Sequence, residues 1–165
     1  MKKWLKLSLI TLVALVVAAQ VVRPARTNPP VDPQKEITAH MQVDPAVMAT
    51  LSRACNDCHS NRTEWPWYSN VAPVSWLVTS DVNEGREELN FSEWGASKEK
   101  EPGKLLGKIC SEMKEGEMPM ATYRLMHPQA KLTSAEVQNV CQWTSSMAKN
   151  VAETTKDKDD DDDDD

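Results

Sequence analysis

Residues 55–70 read CNDCHSNRTEWPWYSN and place a pair of cysteines and a histidine directly before a cluster of aromatic residues. Two residues separate Cys55 from Cys58, and His59 follows at once. This C-x-x-C-H spacing is typical of c-type haem attachment. Two thiols one helical turn apart can each add to a haem vinyl group, and the histidine is then carried under the iron. We therefore expect one covalent haem c, attached at Cys55 and Cys58, with His59 as an iron ligand.

Two other chemistries use similar cysteine spacings. Redox-active dithiols of the thioredoxin type also read C-x-x-C, but they normally follow a strand, whereas this motif comes at the end of a predicted helix. A structural zinc site needs a second pair of ligands at suitable spacing, and Cys110 and Cys141 each stand alone in the sequence. Both alternatives therefore match the sequence less well than haem does.

The sixth iron ligand is expected to be a methionine. Met118 lies in a loop between two predicted helices and is followed by Pro119, so its thioether could lie on the open haem face, where it would raise the reduction potential. Met113 and Met147 fall on helical faces and fit better as core residues. His127, Met120 and an open sixth position are the alternatives to Met118.

The aromatic cluster has two interpretations. Trp65, Trp67 and Tyr68 either pack a small aromatic core or form the wall and rim of a haem pocket. In the second case their N–H and O–H groups, together with Arg62 or Arg86, would donate hydrogen bonds to the haem propionates. On that interpretation the predicted haem contacts include Trp65, Trp67, Tyr68 and Arg86.

Helix signals recur along the chain, and no segment has a convincing strand pattern. Prolines suited to a first helical turn stand at Pro45, Pro73 and Pro102, Gly116 can end the third of these helices, and T-x-x-E at Thr133 predicts a capping box. The sequence therefore predicts an all-α, cytochrome c-like small domain with long loops around one haem. Residues expected to face inward include Leu51, Trp76, Leu77, Val82, Phe91, Trp94, Leu106, Ile109, Met113 and Val140.

The N-terminal segment resembles a targeting sequence. Lys2, Lys3 and Lys6 precede an apolar run of about 16 residues that ends at Val22, which is slightly shorter than the roughly 20 residues of a membrane span. Residues 1–26 are predicted to be a cleaved signal peptide or an N-terminal membrane anchor, with both options open. Either one predicts a periplasmic location or the extracytoplasmic face of the inner membrane.

Charge and composition divide the remaining chain. The Pro-rich residues 27–43 predict an extended linker, residues 44–150 the haem-binding domain, and residues 151–165 a disordered acidic tail. Eight aspartates and one lysine at 157–165 contribute −7 to the formal net charge of −6, so the rest of the chain is nearly neutral. Without a basic stripe or a Gly-rich phosphate loop, we expect no nucleic-acid partner.

Cys110 and Cys141 lie on the inward stripes of two predicted helices. In an oxidising compartment they could form a disulfide bond, which would close a loop of about 30 residues. The alternative is two buried free thiols that act as small apolar residues.

Three segments carry a resemblance to a known family. CNDCHSNRTEWPWYSNVAPVSW, GREELNFSEW and GEMPMATYRLMHPQAKLT together resemble the haem-binding domain of bacterial extracytoplasmic proteins of the cytochrome c type. The resemblance covers roughly residues 30–145. It implies covalent haem at Cys55 and Cys58 and iron ligation by His59, and Met118 is the position matched to the distal ligand.

The expected function is electron transfer by a single-haem cytochrome with unidentified redox partner proteins, in contact with the membrane if the N-terminal segment stays uncleaved. No proton-transfer dyad or activated nucleophile is evident, so we do not expect an enzyme. One alternative is a haem-based sensor or peroxidase-like protein with a labile sixth ligand. Another is a haem-bearing interaction domain that docks envelope proteins.

Overall fold

The computed structural model describes residues 2–96 and 101–161, and most of these residues are helical. No β-strand occurs within those two ranges, which confirms the predicted all-α fold class. Two short 3₁₀ helices cover Trp67–Asn70 and Pro128–Ala130. The α-helices are α1 (Lys2–Ala19), α2 (Ile37–His40), α3 (Pro45–Ala54), α4 (Asn56–His59), α5 (Val74–Glu88), α6 (Pro102–Glu115), α7 (Ala121–Met126) and α8 (Ser134–Asp161).

The predicted signals at the helix ends act as expected. At the start of α8, the Glu136 N–H donates to Thr133 Oγ1 (3.2 Å) and the Glu136 carboxylate accepts from the Thr133 N–H (2.8 Å), which is a capping box. Gly116 ends α6 with φ of 76°, a left-handed conformation that glycine adopts without strain. Local sequence therefore fixes both ends of the segment that joins α6 to α8.

Helices α6 and α8 pack against each other at the centre of the fold. Leu106 and Val140 are completely buried there, and the sulfurs of Cys110 and Cys141 lie 2.04 Å apart. The pair forms a disulfide bond, which is one of the two alternatives that the sequence left open. The core comprises Ile37, Val47, Leu51, Phe91, Trp94, Leu105, Leu106, Ile109, Met113, Val140 and Trp143.

Residues 27–43, predicted to be an extended linker, lie against the domain instead. Ile37 is 3% exposed, and its N–H donates to the Phe91 carbonyl (2.8 Å). The Lys35 carbonyl accepts from the Trp94 N–H (2.8 Å), and the Gln42 carbonyl accepts from the Trp143 indole (2.9 Å). Because this segment supplies both a core side chain and acceptors for buried donors, the folded domain begins before the predicted boundary at residue 44.

Helix α5 turns a different face inward from the one predicted. Val82 is buried as expected, but Leu77 is 64% exposed and Trp76 is 38% exposed, so the prediction for these two residues is wrong. The Trp76 indole donates to the Val22 carbonyl (2.8 Å) and therefore meets the N-terminal segment. Besides Val82, the buried residues of α5 are the small polar Ser75 and Thr79.

The two ends of the chain are both helical. None of the side chains of α1 is buried. No helix in the described part of the chain combines the length and the apolar character needed to cross a membrane. At the other end, α8 continues to Asp161, so the structure is helical over much of the segment predicted to be a disordered tail. Residues 162–165 of that predicted tail lie outside the described residues.

Candidate haem site

A cavity of about 280 Å³ lies between the cysteine motif, α5, α6 and the loop that joins α6 to α7. Cys55, Cys58 and His59 line it from one segment, and Met118 lines it from another. We refer to Cys55, Cys58 and His59 as the cysteine wall, and to Met118, Pro119 and Met120 as the methionine wall. The remaining lining is largely apolar and includes Ala54, Leu89, Phe91, Leu105, Ile109 and Met113.

The cysteine wall is a single helical turn. Cys55 ends α3 and leads into α4, and its carbonyl accepts hydrogen bonds from the N–H groups of Cys58 (3.2 Å) and His59 (2.9 Å). Both thiols and the imidazole therefore project from one turn and reach the same cavity. This is the arrangement that attachment to one haem at two sulfurs and one imidazole nitrogen requires.

The His59 ring is oriented by the backbone of α5. Its Nδ1 lies 2.9 Å from the Gly85 carbonyl oxygen and 3.1 Å from the Leu89 carbonyl oxygen. Since both partners are acceptors, Nδ1 carries the proton, and Nε2 keeps a lone pair for a metal. Burial also lowers the pKa of His59 and favours the neutral ring. The residues present are therefore suited to bind haem iron through Nε2.

Gly85 also belongs to this site, although the sequence alone did not indicate it. A Cβ at this position would lie 2.6 Å from the Cys58 carbonyl oxygen, which is closer than real contacts permit. Only glycine allows the α5 backbone to approach the cysteine wall closely enough for its carbonyl to reach His59. A glycine in the interior of an otherwise regular helix was the available signal.

The two thiols of the cysteine wall have little thiolate character. Burial raises the pKa of Cys55 to about 12 and that of Cys58 to about 11, and the charge of Asp57 adds to the second shift. Catalytic dithiols have lowered thiol pKa values instead. In addition, no three histidine, cysteine, aspartate or glutamate side chains in the described residues form a group that could hold a metal ion. These properties do not support the dithiol and zinc alternatives.

Met118 enters the cavity from the loop after α6. The N–H groups of Glu117 (3.0 Å) and Met118 (3.2 Å) both donate to the Glu112 carbonyl, so the end of α6 fixes the start of the loop. Met120 lines the same cavity. His127 does not line it; its Nε2 shares a hydrogen bond with Tyr68 Oη (2.7 Å). Met118 as distal ligand stays a prediction, and it shares the cavity with His59.

The predicted haem contacts Trp65, Trp67, Tyr68 and Arg86 do not line the cavity. Trp67 is 74% exposed, and Tyr68 contacts His127. The Trp65 indole donates to Asn28 Oδ1 (3.1 Å). The Arg86 guanidinium donates to four oxygens, which belong to Thr27, Asn28, Ser60 and Thr63. These side chains therefore hold surrounding segments in place instead of forming the cavity surface.

Charged residues from α5 and α6 form part of the lining and were not predicted. Asp81 and Glu84 lie on α5, and burial, with the charge of Glu84, raises the pKa of Asp81. Lys108 from α6 forms an ion pair with Glu88 (3.0 Å). Asp81, Glu84 and Glu88 follow helical spacing on α5, which is a pattern that sequence alone could have pointed out.

Comparison with known proteins identifies the class of protein to which this site belongs. The family model of the haem-binding domain matches residues 14–146, which is most of the chain, so the protein belongs to the haem-binding domain family. The match includes the segment 27–43 that packs on the domain, as well as both walls of the cavity. Searches of curated proteins and of solved structures found no match.

Proposed function

We propose that this haem-binding domain is a c-type cytochrome that carries one covalent haem and transfers electrons to partner proteins. Cys55 and Cys58 would attach the haem, and His59 and Met118 would be its axial ligands. The observation that carries the proposal is that these four side chains, from two separate segments, line one cavity.

A haem bound in this cavity supplies one-electron exchange between ferric and ferrous iron. The chain itself supplies attachment, orientation and shielding. Gly85 and Leu89 hold the His59 ring through their carbonyls, and Leu105 and Ile109 keep water from that part of the cavity because they are buried apolar residues. The proposal includes no substrate chemistry.

We also propose an extracytoplasmic location. The basic and apolar start of the sequence supports this location, because it resembles an export signal. The Cys110–Cys141 disulfide supports it as well, since structural disulfides persist in oxidising compartments. The electron donors and acceptors would then be other envelope proteins, with the membrane as a further contact if the N-terminal segment is retained. Cell fractionation tests the location, and recovery in the cytoplasm would contradict it.

The distal ligand is tested with Met118→Ala in protein matured by a haem-attachment system. We expect low-spin ferric and ferrous spectra for the unchanged protein. The variant should become high-spin, bind carbon monoxide readily and have a lower reduction potential, because the thioether that favours ferrous iron is lost. Visible spectroscopy and redox titration measure these properties.

Two methionine variants complete this experiment. Met126→Ala is the matched control, because Met126 is 51% exposed and does not line the cavity; its spectra should not change. Met120→Ala tests the neighbouring thioether. If Met118→Ala stays low-spin, Met118 is not the ligand. If the unchanged protein is already high-spin and binds carbon monoxide, the sensor or peroxidase-like alternative replaces the electron carrier.

A further inference from the structure

Tyr68 and His127 belong to neither wall, and they contact each other near the cavity. Tyr68 belongs to the aromatic cluster after the cysteine motif, and His127 follows α7. Tyr68 Oη and His127 Nε2 are 2.7 Å apart, and the Tyr68 and His127 rings are in edge contact. These two residues are 59 positions apart in the sequence, and the fold brings them into contact.

Tyr123 continues the contact to the cysteine wall. Its ring stacks on His127, with 4.3 Å between ring centroids and 13° between planes. Its Oη donates to Asp57 Oδ2 (2.7 Å), and Asp57 stands between Cys55 and Cys58 in the motif. Asp57 is itself held, because its Oδ1 accepts from the Glu64 N–H (2.9 Å). Tyr123 also lines the cavity.

We propose that Asp57, Tyr123, His127 and Tyr68 form a clamp that fixes the methionine wall relative to the cysteine wall. The proposal rests on the proposed function, in which Met118 is an iron ligand. These four are positioning residues. Each helps to hold Met118 in place, and none is proposed as an iron ligand.

The methionine wall is anchored at both of its ends. At its start, the last turn of α6 binds the loop backbone through the Glu112 carbonyl. At its end, α7 begins at Ala121, and Tyr123 in its first turn is bonded to the turn that carries the cysteines. Met118 therefore lies between two anchors, one made by backbone groups and one made by side chains.

The clamp would keep the thioether in place while the iron changes its oxidation state. If one end of the loop were not held, the thioether would dissociate from the iron and rebind. A competing ligand such as carbon monoxide could bind the iron while the thioether is dissociated. A ligand held at both ends is displaced slowly. Burial and the bond to Asp57 raise the pKa of Tyr123, so this phenol keeps the proton that it donates.

The test is Tyr123→Phe in the mature haem protein. This variant removes the donor to Asp57 and retains the ring that lines the cavity. Because a hydrogen bond to a charged group is lost, we expect carbon monoxide to bind the ferrous protein about tenfold faster. Amide hydrogen exchange in residues 118–126 should also become faster. Asp57→Asn with Tyr123→Phe should be non-additive, since the two side chains act through one bond.

The outcomes separate the clamp from the proposed function. If Met118→Ala shows that methionine ligates the iron, and Tyr123→Phe leaves both the carbon monoxide rate and the exchange unchanged, the clamp is wrong and the function stands. If Tyr123→Phe does not mature, Tyr68→Phe decides, because Tyr68 lies outside the cavity lining. Faster exchange in residues 118–126 of that variant supports the clamp, and unchanged exchange overturns it.

Discussion

The cysteine wall and the methionine wall face one cavity but are held in different ways. On the cysteine wall, backbone groups set the geometry: a helical turn presents both thiols, and two carbonyls of α5 orient His59. On the methionine wall, a loop carries Met118; backbone bonds tie its start to α6, and the Met120 carbonyl at its end accepts from the Arg124 N–H of α7 (3.0 Å). Helix α7 in turn contacts the cysteine motif through a side-chain hydrogen bond from Tyr123 to Asp57.

This difference indicates how each wall responds to substitution. Backbone geometry is insensitive to most side chains, so the cysteine wall should fail only where an essential atom is removed or a close approach is blocked. The methionine wall depends on individual side-chain contacts and on the position of α6. Changes there should alter ligand exchange before they alter haem content.

The largest expected effect is the loss of covalent haem in the double variant Cys55→Ser/Cys58→Ser. Without thiols no thioether can form, so the haem should be removed completely by acidic organic extraction. Mass spectrometry of the denatured protein measures attachment directly. The matched control is Cys110→Ser/Cys141→Ser, which should keep its haem mass. Retention of covalent haem by the first variant would contradict the assignment of the cysteine wall.

The control variant Cys110→Ser/Cys141→Ser also tests the methionine wall. Cys110 and Cys141 link α6 to α8 across 31 positions of sequence, and removing such a bond should lower the free energy of unfolding by about 3.7 kcal/mol in the chain-entropy model. Denaturant titration of the haem protein measures this change. Because α6 leads into the methionine wall, a less firmly held α6 should let Met118 leave its position more often. Carbon monoxide binding should therefore become faster while the haem remains attached. An unchanged denaturation midpoint would show that the disulfide does not stabilise the fold.

The sequence predicted those features that depend on neighbouring residues. C-x-x-C-H identified the cysteine wall, Gly116 identified the end of α6, and the Thr133–Glu136 pair identified the start of α8, because each signal acts within a few residues. The family match agrees with the haem assignment made from the motif.

What the sequence did not predict depends on distant contacts. Trp65 and Arg86 were expected at the haem, but their donors bind Asn28 in a segment that was taken for a free linker. Trp76 is partly exposed, and its indole donates to the Val22 carbonyl of the N-terminal segment. A proline-rich segment has few internal backbone bonds, so its partners lie elsewhere in the fold and local patterns do not identify them.

The smallest expected effect is a change in the free energy of unfolding caused by glycine substitutions. These substitutions test how closely α5 packs on the cysteine wall. Gly85→Ala should lower the free energy of unfolding by about 2 kcal/mol, because its Cβ would meet the Cys58 carbonyl. The ferric spectrum should change as well, since the carbonyls that orient His59 must move. Gly107→Ala in α6 is the control: a Cβ there meets nothing within 4 Å. This control should raise stability by about 0.5–1 kcal/mol.

Denaturant titration and visible spectra of the two variants separate packing from helix propensity. If Gly85→Ala stabilises the protein as Gly107→Ala does, α5 does not pack closely on Cys58, and the backbone origin of the cysteine wall is wrong. If Gly85→Ala destabilises the protein and shifts the spectrum while carbon monoxide binding stays slow, the two walls respond independently. That result would show that Gly85 affects the orientation of His59 only. The position of Met118 would then depend on the contacts of the methionine wall.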